Sequence, residues 1–497
     1  MVVAAVGCGP GPAGPCDGLP AMGCQGLDYA FTCINGQYQE LHCQRDTVCS
    51  GGMCKKVICN VGDFSCDGSV AKICTADGTV EETDDCGPKG QVCVVEPLTA
   101  HCVAQVCTPM TTYCGGDEVR KCSVDGLKYD VVQTCDDPNG RGRTCVGSTC
   151  LDRCQLIEAH DRSTTGCHFL GVSGGMLTVL VGNVQPDLPA TVTLSRSDGS
   201  LTSTQTVAPG TVSQLALGAS TIGAGTALGL GIRVTSSVPV MVWLQPVGER
   251  GTLLHPNHVL STSYVGVLGT SRETVLIIAD GDSDVTVKVP VATDAGGTIP
   301  AVVAGGTLSQ HLVAGQALAL VASSGPLGGV RVDATAPVAM FVGDPSAASM
   351  PGLETLGRDF FTTRDGMMVS PGPNTVMTPA GMVTLLANQA VPASLSWRYS
   401  ATAPLLMVQR GTVVPSNPQR RKTLFAPTSG VAVLAADVAC TVTTNGGPVD
   451  LTMAGPGDFY NGPIGSGVLT SQQPLSGSTD VASGRQLSFG YGLDVLP

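Results

Sequence analysis

The chain has 497 residues, a net charge of −13, 22 cysteines and 4% aromatic residues. An acidic, aromatic-poor chain argues against nucleic acid and anionic lipid surfaces as partners. With 65 glycines and 13% charged residues, it suits short strands and turns rather than surface helices.

The first 15 residues read as a flexible lead or the remnant of a lipoprotein leader. Met1 to Gly7 is too short for the apolar region of a signal peptide, yet Ala5-Val6-Gly7-Cys8 resembles a lipidation signal, which makes Cys8 a lipid-anchor candidate. No segment is long and apolar enough to cross a membrane as a helix.

Residues 16–153 hold three tandem six-cysteine repeats. The first uses Cys16, Cys24, Cys33, Cys43, Cys49 and Cys54; the second Cys59, Cys66, Cys74, Cys86, Cys93 and Cys102; the third Cys107, Cys114, Cys122, Cys135, Cys145 and Cys150. No Cys-x2-Cys pair of the kind structural zinc sites use is present. Cysteine at this density persists as disulfides in an oxidising place, so the protein is expected to be exported. A repeat of about 45 residues cannot build a sufficient apolar core, so cross-links must supply its stability. Six cysteines allow 15 pairings, and the spacing does not choose among them. In each repeat a turn signal follows the third cysteine: Asn35-Gly36, Asp77-Gly78 and Asp125-Gly126. Such turns place the third and fourth cysteines on the two arms of a hairpin.

Two more cysteines mark the join, in CQLIEAHDRSTTGCHF, where Cys154 is expected to pair with Cys167. Cys440, inside VAVLAADVACTV, is then left as a buried free thiol.

Beyond the join the signal is period-two alternation, as at Val285, Val287, Val289 and Val291, which puts apolar residues on one face of a strand. GLGIRVTSSVPVMVWL from Gly229 returns as GGVRVDATAPVAMFVGD from Gly328. Gly231, Arg233, Val234, Pro239 and Val240 recur as Gly329, Arg331, Val332, Pro337 and Val338, and a weaker echo, GVLTSQQPL, ends at Leu475. Module starts repeat too, from Met176, Glu273 and Met382. The expected fold is mostly β, with three β-sandwich-like modules at 154–260, 261–370 and 371–497 packed side by side; a β-propeller is the alternative.

No catalytic motif stands out. Gly171-Val172-Ser173-Gly174-Gly175 matches the nucleophile elbow of hydrolases, but a strand rather than a helix follows it. Asp280, Asp282 and Asp284 have the spacing of a calcium loop, while Val285 and Val291 stand where an EF-hand needs Gly and Glu, leaving at most a weak calcium site. His255 and His258 flank Pro256, which breaks the helical geometry a zinc pair requires. Gly223-Ala224-Gly225 lacks the context of a phosphate loop.

The combination of CQLIEAHDRSTTGCHF, GTLLHPNHVLSTSYVGV, ETVLIIADGDSDVTVKV and VRVDATAPVAMFVGD resembles the IgGFc-binding protein N-terminal domain family over about residues 154–497. Bacterial members are similar in carrying cysteine-rich repeats ahead of this domain, which implies a bacterial cell-surface protein. The resemblance carries over no catalytic residue and no cofactor. The expected function is exported binding or adhesion, non-enzymatic, with an extracellular protein or glycan as partner. The alternatives are an extracellular hydrolase and a structural component of a surface assembly.

Overall fold

In the computed structural model the described residues are Cys16 and 21–491, less short internal stretches; beyond residue 409 the description is largely of strands alone. The chain divides into a cysteine-rich unit and a larger β unit that begins at Leu151.

In the cysteine-rich unit one pairing recurs three times: first with third, second with fifth, fourth with sixth. The first repeat has Cys16–Cys33, Cys24–Cys49 and Cys43–Cys54. The second has Cys59–Cys74, Cys66–Cys93 and Cys86–Cys102. The third has Cys107–Cys122, Cys114–Cys145 and Cys135–Cys150. The buried clusters are correspondingly small, as with Ala71, Cys86 and Ala100 in the second repeat, so the sulfur bridges stand in for a core. Each hairpin turn has glycine in the left-handed region, Gly36 at φ 78°, Gly78 at 71° and Gly126 at 76°. The carbonyls of these glycines accept the N–H groups of Cys16, Cys59 and Cys107, the first cysteine of each repeat. The Asp77 carboxyl is held below its usual range by the Ser50 hydroxyl first, then by the Thr79 N–H and the Thr75 and Thr79 hydroxyls.

The β unit opens with a short helix, Arg153–His160. The Asp152 carboxylate accepts the Gln155 N–H, and the Gln155 side chain accepts the Asp152 N–H, a reciprocal cap. Cys154 on this helix is bonded to Cys167, and Arg153 reaches Asp187 at 2.7 Å.

Four sheets follow, each built around one long strand: Gly231–Pro246, Val330–Gly343, Trp397–Gln409 and Gly467–Val481. Each long strand carries a proline near its middle, Pro239, Pro337, Pro404 or Pro474. In every copy the residue after the proline pairs with the start of the module's first strand: Val240 with Gly166, Val338 with Ser261, Leu405 with Gly357 and Leu475 with Arg421. A register shift follows at the same place each time. Ahead of the proline the strand lies between two neighbours; beyond it, between two others. In the second module these are Ser261–Gly266 and Ser283–Lys288, then Thr274–Ala279 and Ala347–Met350. The sheet therefore curls on itself and encloses a core between its two halves.

Proline has no N–H and cannot hold the ladder at the bend. A hydroxyl two residues before it substitutes. Ser237, Thr335 and Thr402 accept the backbone N–H of Thr191, Asp284 and Thr375 at 2.9, 2.9 and 3.1 Å. Three residues into each first strand a large side chain fills the fold of the curl. Phe169, Tyr264, Phe360 and Leu424 are all buried.

Two expectations are corrected here. The stretch assigned to one module at 371–497 holds two sheets, and the first of them already starts at Gly357. The Met382 stretch does not begin a module. It is Gly381–Leu385, the outer arm of a hairpin with Asn374–Thr378, whereas the true counterpart of the Met176 and Glu273 strands is Gly366–Val369. Alternation marks a strand without saying which strand it is. Only the second module carries a long excursion between the arms of its outer hairpin, from Lys288 to Thr307; in the other three the arms are joined by short turns.

The modules share cores. In Thr274–Ala279 every residue is buried: Val275 and Ile277 face their own module's core, while Leu276 and Ile278 pack into the core of the first. Likewise Met368 and Met407 belong to the third module's core, and Val369, Leu406 and Val408 to that of the second. In the second and third modules the half-sheet beyond the bend is thus a lid on the preceding module. At the first joint Gly225–Ala227 adds to the edge strand Ala317–Val321 of the second module, and Arg233 donates to the Asp280 carbonyl at 3.0 Å. A Cβ at Gly231 would overlap the carbonyl oxygen of Gly315, and one at Gly329 that of Asn388, so glycine is needed where the next module's turn docks.

Candidate functional site

The polar residues singled out in the sequence do not converge. Ser173 is fully buried in a turn between two strands, and its hydroxyl donates to the Gly229 carbonyl at 3.0 Å. No helix follows and no histidine is bonded to it, so it is a structural hydroxyl. Asp280, Asp282 and Asp284 turn to three different partners. Asp280 accepts from Asn257 at 2.7 Å and faces Arg233 at 3.5 Å. Asp282 accepts the Ala314 N–H, and Asp284 pairs with His311 at 2.8 Å. Among the described residues no group of three or more His, Cys, Asp or Glu could hold a metal ion.

His255 lies in the link between the first and second modules. Its Nδ1 is 2.8 Å from the Ser349 hydroxyl, and burial pushes its pKa down to about 4, so the ring is neutral at neutral pH. His258 sits in the short 3-10 turn Asn257–Val259. Ala224 and Gly225 pack against Gly296 and Gly297 of the second module, which leaves no room for a phosphate. Glu273 is fully buried with its carboxylate on the Leu327 N–H at 2.7 Å. Cys8 lies outside the described residues, as does the side chain of Cys440, whose backbone opens the strand Cys440–Thr444.

One copy differs from the others on its outer surface. Each module has an outer hairpin beside the first half of its long strand. In the first module its outward pairs include Thr193 with Thr204, and in the second Thr286 with Ser309. In the third the corresponding pair is Met377 with Met382. These methionines are 57% and 78% exposed, and Leu386, just past the hairpin, is 64% exposed. Neither arm, NTVMT or GMVTL, carries a charge, and the arm Gly381–Leu385 is an unpaired sheet edge. Methionine is flexible and polarisable, and suits protein contact surfaces. Part of the signal was present in the sequence: Ala401-Thr402-Ala403-Pro404 repeats Ala334-Thr335-Ala336-Pro337. That repeat marks the bend of a third long strand, but the hairpin before it lies at a different distance in each module, so only the pairing sets Met377 and Met382 against Thr286 and Ser309.

No curated protein and no solved structure matches the chain. Among the described residues no helix is long and apolar enough to cross a membrane. One family model does match, over residues 250–395. That stretch spans the second module and most of the third, including the exposed methionine hairpin, while the Cys154–Cys167 join and all of the first module but its closing strand, Thr252–Leu253, fall outside it. Residues 250–395 are accordingly similar to the family described as IgGFc binding protein.

Proposed function

We propose that this is an exported, non-enzymatic binding protein whose partner is another extracellular protein, taken on the outer hairpin of the third module. The observation that carries this reading is the family match over residues 250–395, combined with the apolar hairpin inside it. Ten disulfides among the described residues, from Cys16–Cys33 to Cys154–Cys167, suit an extracellular location. The cysteine-rich unit serves as a spacer, and a lipid on Cys8 would tether it to a bacterial surface; intact-mass measurement of native protein tests that attachment.

The binding test immobilises the full chain and presents immunoglobulin Fc first, then a panel of other extracellular proteins and glycans. Met377→Glu with Met382→Glu places charge on the hairpin without touching a buried residue. Protein binding that falls about tenfold or more in this variant supports the assignment, the scale expected for central contact residues. Protein binding unchanged by the variant refutes the hairpin, and capture of glycans alone refutes a protein partner.

A further inference from the structure

The four short strands that close the modules are Thr252–Leu253, Ala347–Met350, Thr412–Val413 and Arg485–Ser488. They neighbour one another in a cycle: the first touches the second, the second the third, the third the fourth, and the fourth the first. The four modules therefore form a closed ring. The first two meet through the Ser349 N–H, which donates to the Thr252 hydroxyl at 2.8 Å.

Closure explains a cluster that the first module alone does not. Leu180, Met241, Trp243 and Leu253 lie on the outer face of its second half-sheet, away from its own core, yet all are buried, Met241 and Trp243 fully. In the second and third modules the same face is the lid of the module before. For the first module that place is taken by the fourth, whose strand Arg485–Ser488 lies beside Thr252–Leu253.

This joint differs from the other three. They are spanned by the chain, so parted modules stay tethered and re-dock at high effective concentration. The fourth-to-first joint is held by non-covalent contact alone. Where Gly231 and Gly329 admit the following module's turn, the fourth module's sequence has Ser466, and where Arg233 and Arg331 stand it has Val468.

We infer that the ring opens at the joint between its fourth and first modules, and that the apolar face so exposed, Leu180, Met241, Trp243 and Leu253, takes the fourth module of a second copy of this chain. Such an exchange remakes the same interface between two molecules, at little cost beyond lost tether entropy.

The test uses the full chain carrying Trp397→Phe, which leaves Trp243 as the sole tryptophan. Under rising urea, Trp243 should become open to iodide quenching before the buried amides of Thr274–Ala279 lose their exchange protection. Tagged and untagged copies, mixed at high concentration in that intermediate urea and returned to buffer, should co-purify at twice the single-chain mass. The same treatment in dilute solution should give single chains. Arg233→Ala, which weakens a tethered joint, should not raise the dimer fraction. Trp243 exposed only together with the Thr274–Ala279 amides overturns the inference, as does early exposure with no doubled mass, or doubling that Arg233→Ala promotes.

Discussion

Tyr264→Phe removes one oxygen from the second module and nothing else. The Tyr264 hydroxyl donates to the Val338 carbonyl at 2.5 Å and accepts the Ser261 N–H at 2.8 Å. Both bonds sit where the first strand crosses the bend of the long strand, and Tyr264 is 1% exposed. Burial also pushes the phenol's pKa up, so the group stays protonated and able to donate. Phenylalanine fits the place by volume, since Phe169 and Phe360 occupy it in the first and third modules. The loss is therefore that of two polar groups left without partners, about 1–3 kcal/mol each when buried; allowing for partial relaxation, the sum is about 2–4 kcal/mol. Native-state hydrogen exchange reads this at the Ser261 amide, one of the two orphaned groups. At a factor of ten per about 1.4 kcal/mol, its exchange should quicken roughly 30- to 1,000-fold, while amides of the third module stay unchanged. A Ser261 rate that moves by less than about threefold would show that the hydroxyl does not hold the bend.

Three other outcomes follow from the joints and the hairpin. His255, with its pKa lowered to about 4 by burial, stabilises the fold fully above its ordinary value near 6.5 and progressively less as pH falls toward 4. The loss is at most about 3 kcal/mol at about 1.4 kcal/mol per pH unit, a ceiling because the ring keeps some solvent contact. Urea midpoints of the native protein should fall across that window more steeply than those of His255→Gln, and parallel curves would remove His255 from the account. Gly329→Ala should lower the thermal midpoint more than Gly199→Ala. Both glycines have positive φ, but only at Gly329 does the added Cβ overlap a neighbouring carbonyl, that of Asn388; equal losses would mean the docking contact yields freely. The paired Met377 and Met382 substitutions set two carboxylates directly opposite each other, so they should lower the unfolding free energy from urea melts by no more than about 1 kcal/mol, too little for lost binding to be lost folding.

The sequence by itself determined the covalent character of the front, because cysteine density and short repeats leave no other source of stability. It also determined the β character of the remainder, since alternation and turn residues are local properties. The recurring strand around Pro239 and Pro337 was legible for the same reason. Which cysteines join was not, because 15 pairings satisfy one spacing, and pairing is decided by which hairpin arms meet in space. The module count was misread because every strand alternates alike. Gly381–Leu385 and Gly366–Val369 can be told apart only by their partners, and those lie along Trp397–Gln409. Ring closure belongs wholly to the tertiary structure. The buried outer face of Trp243 and the neighbouring of Thr252–Leu253 with Arg485–Ser488 join parts of the chain more than 200 residues apart, a separation over which no local pattern carries information.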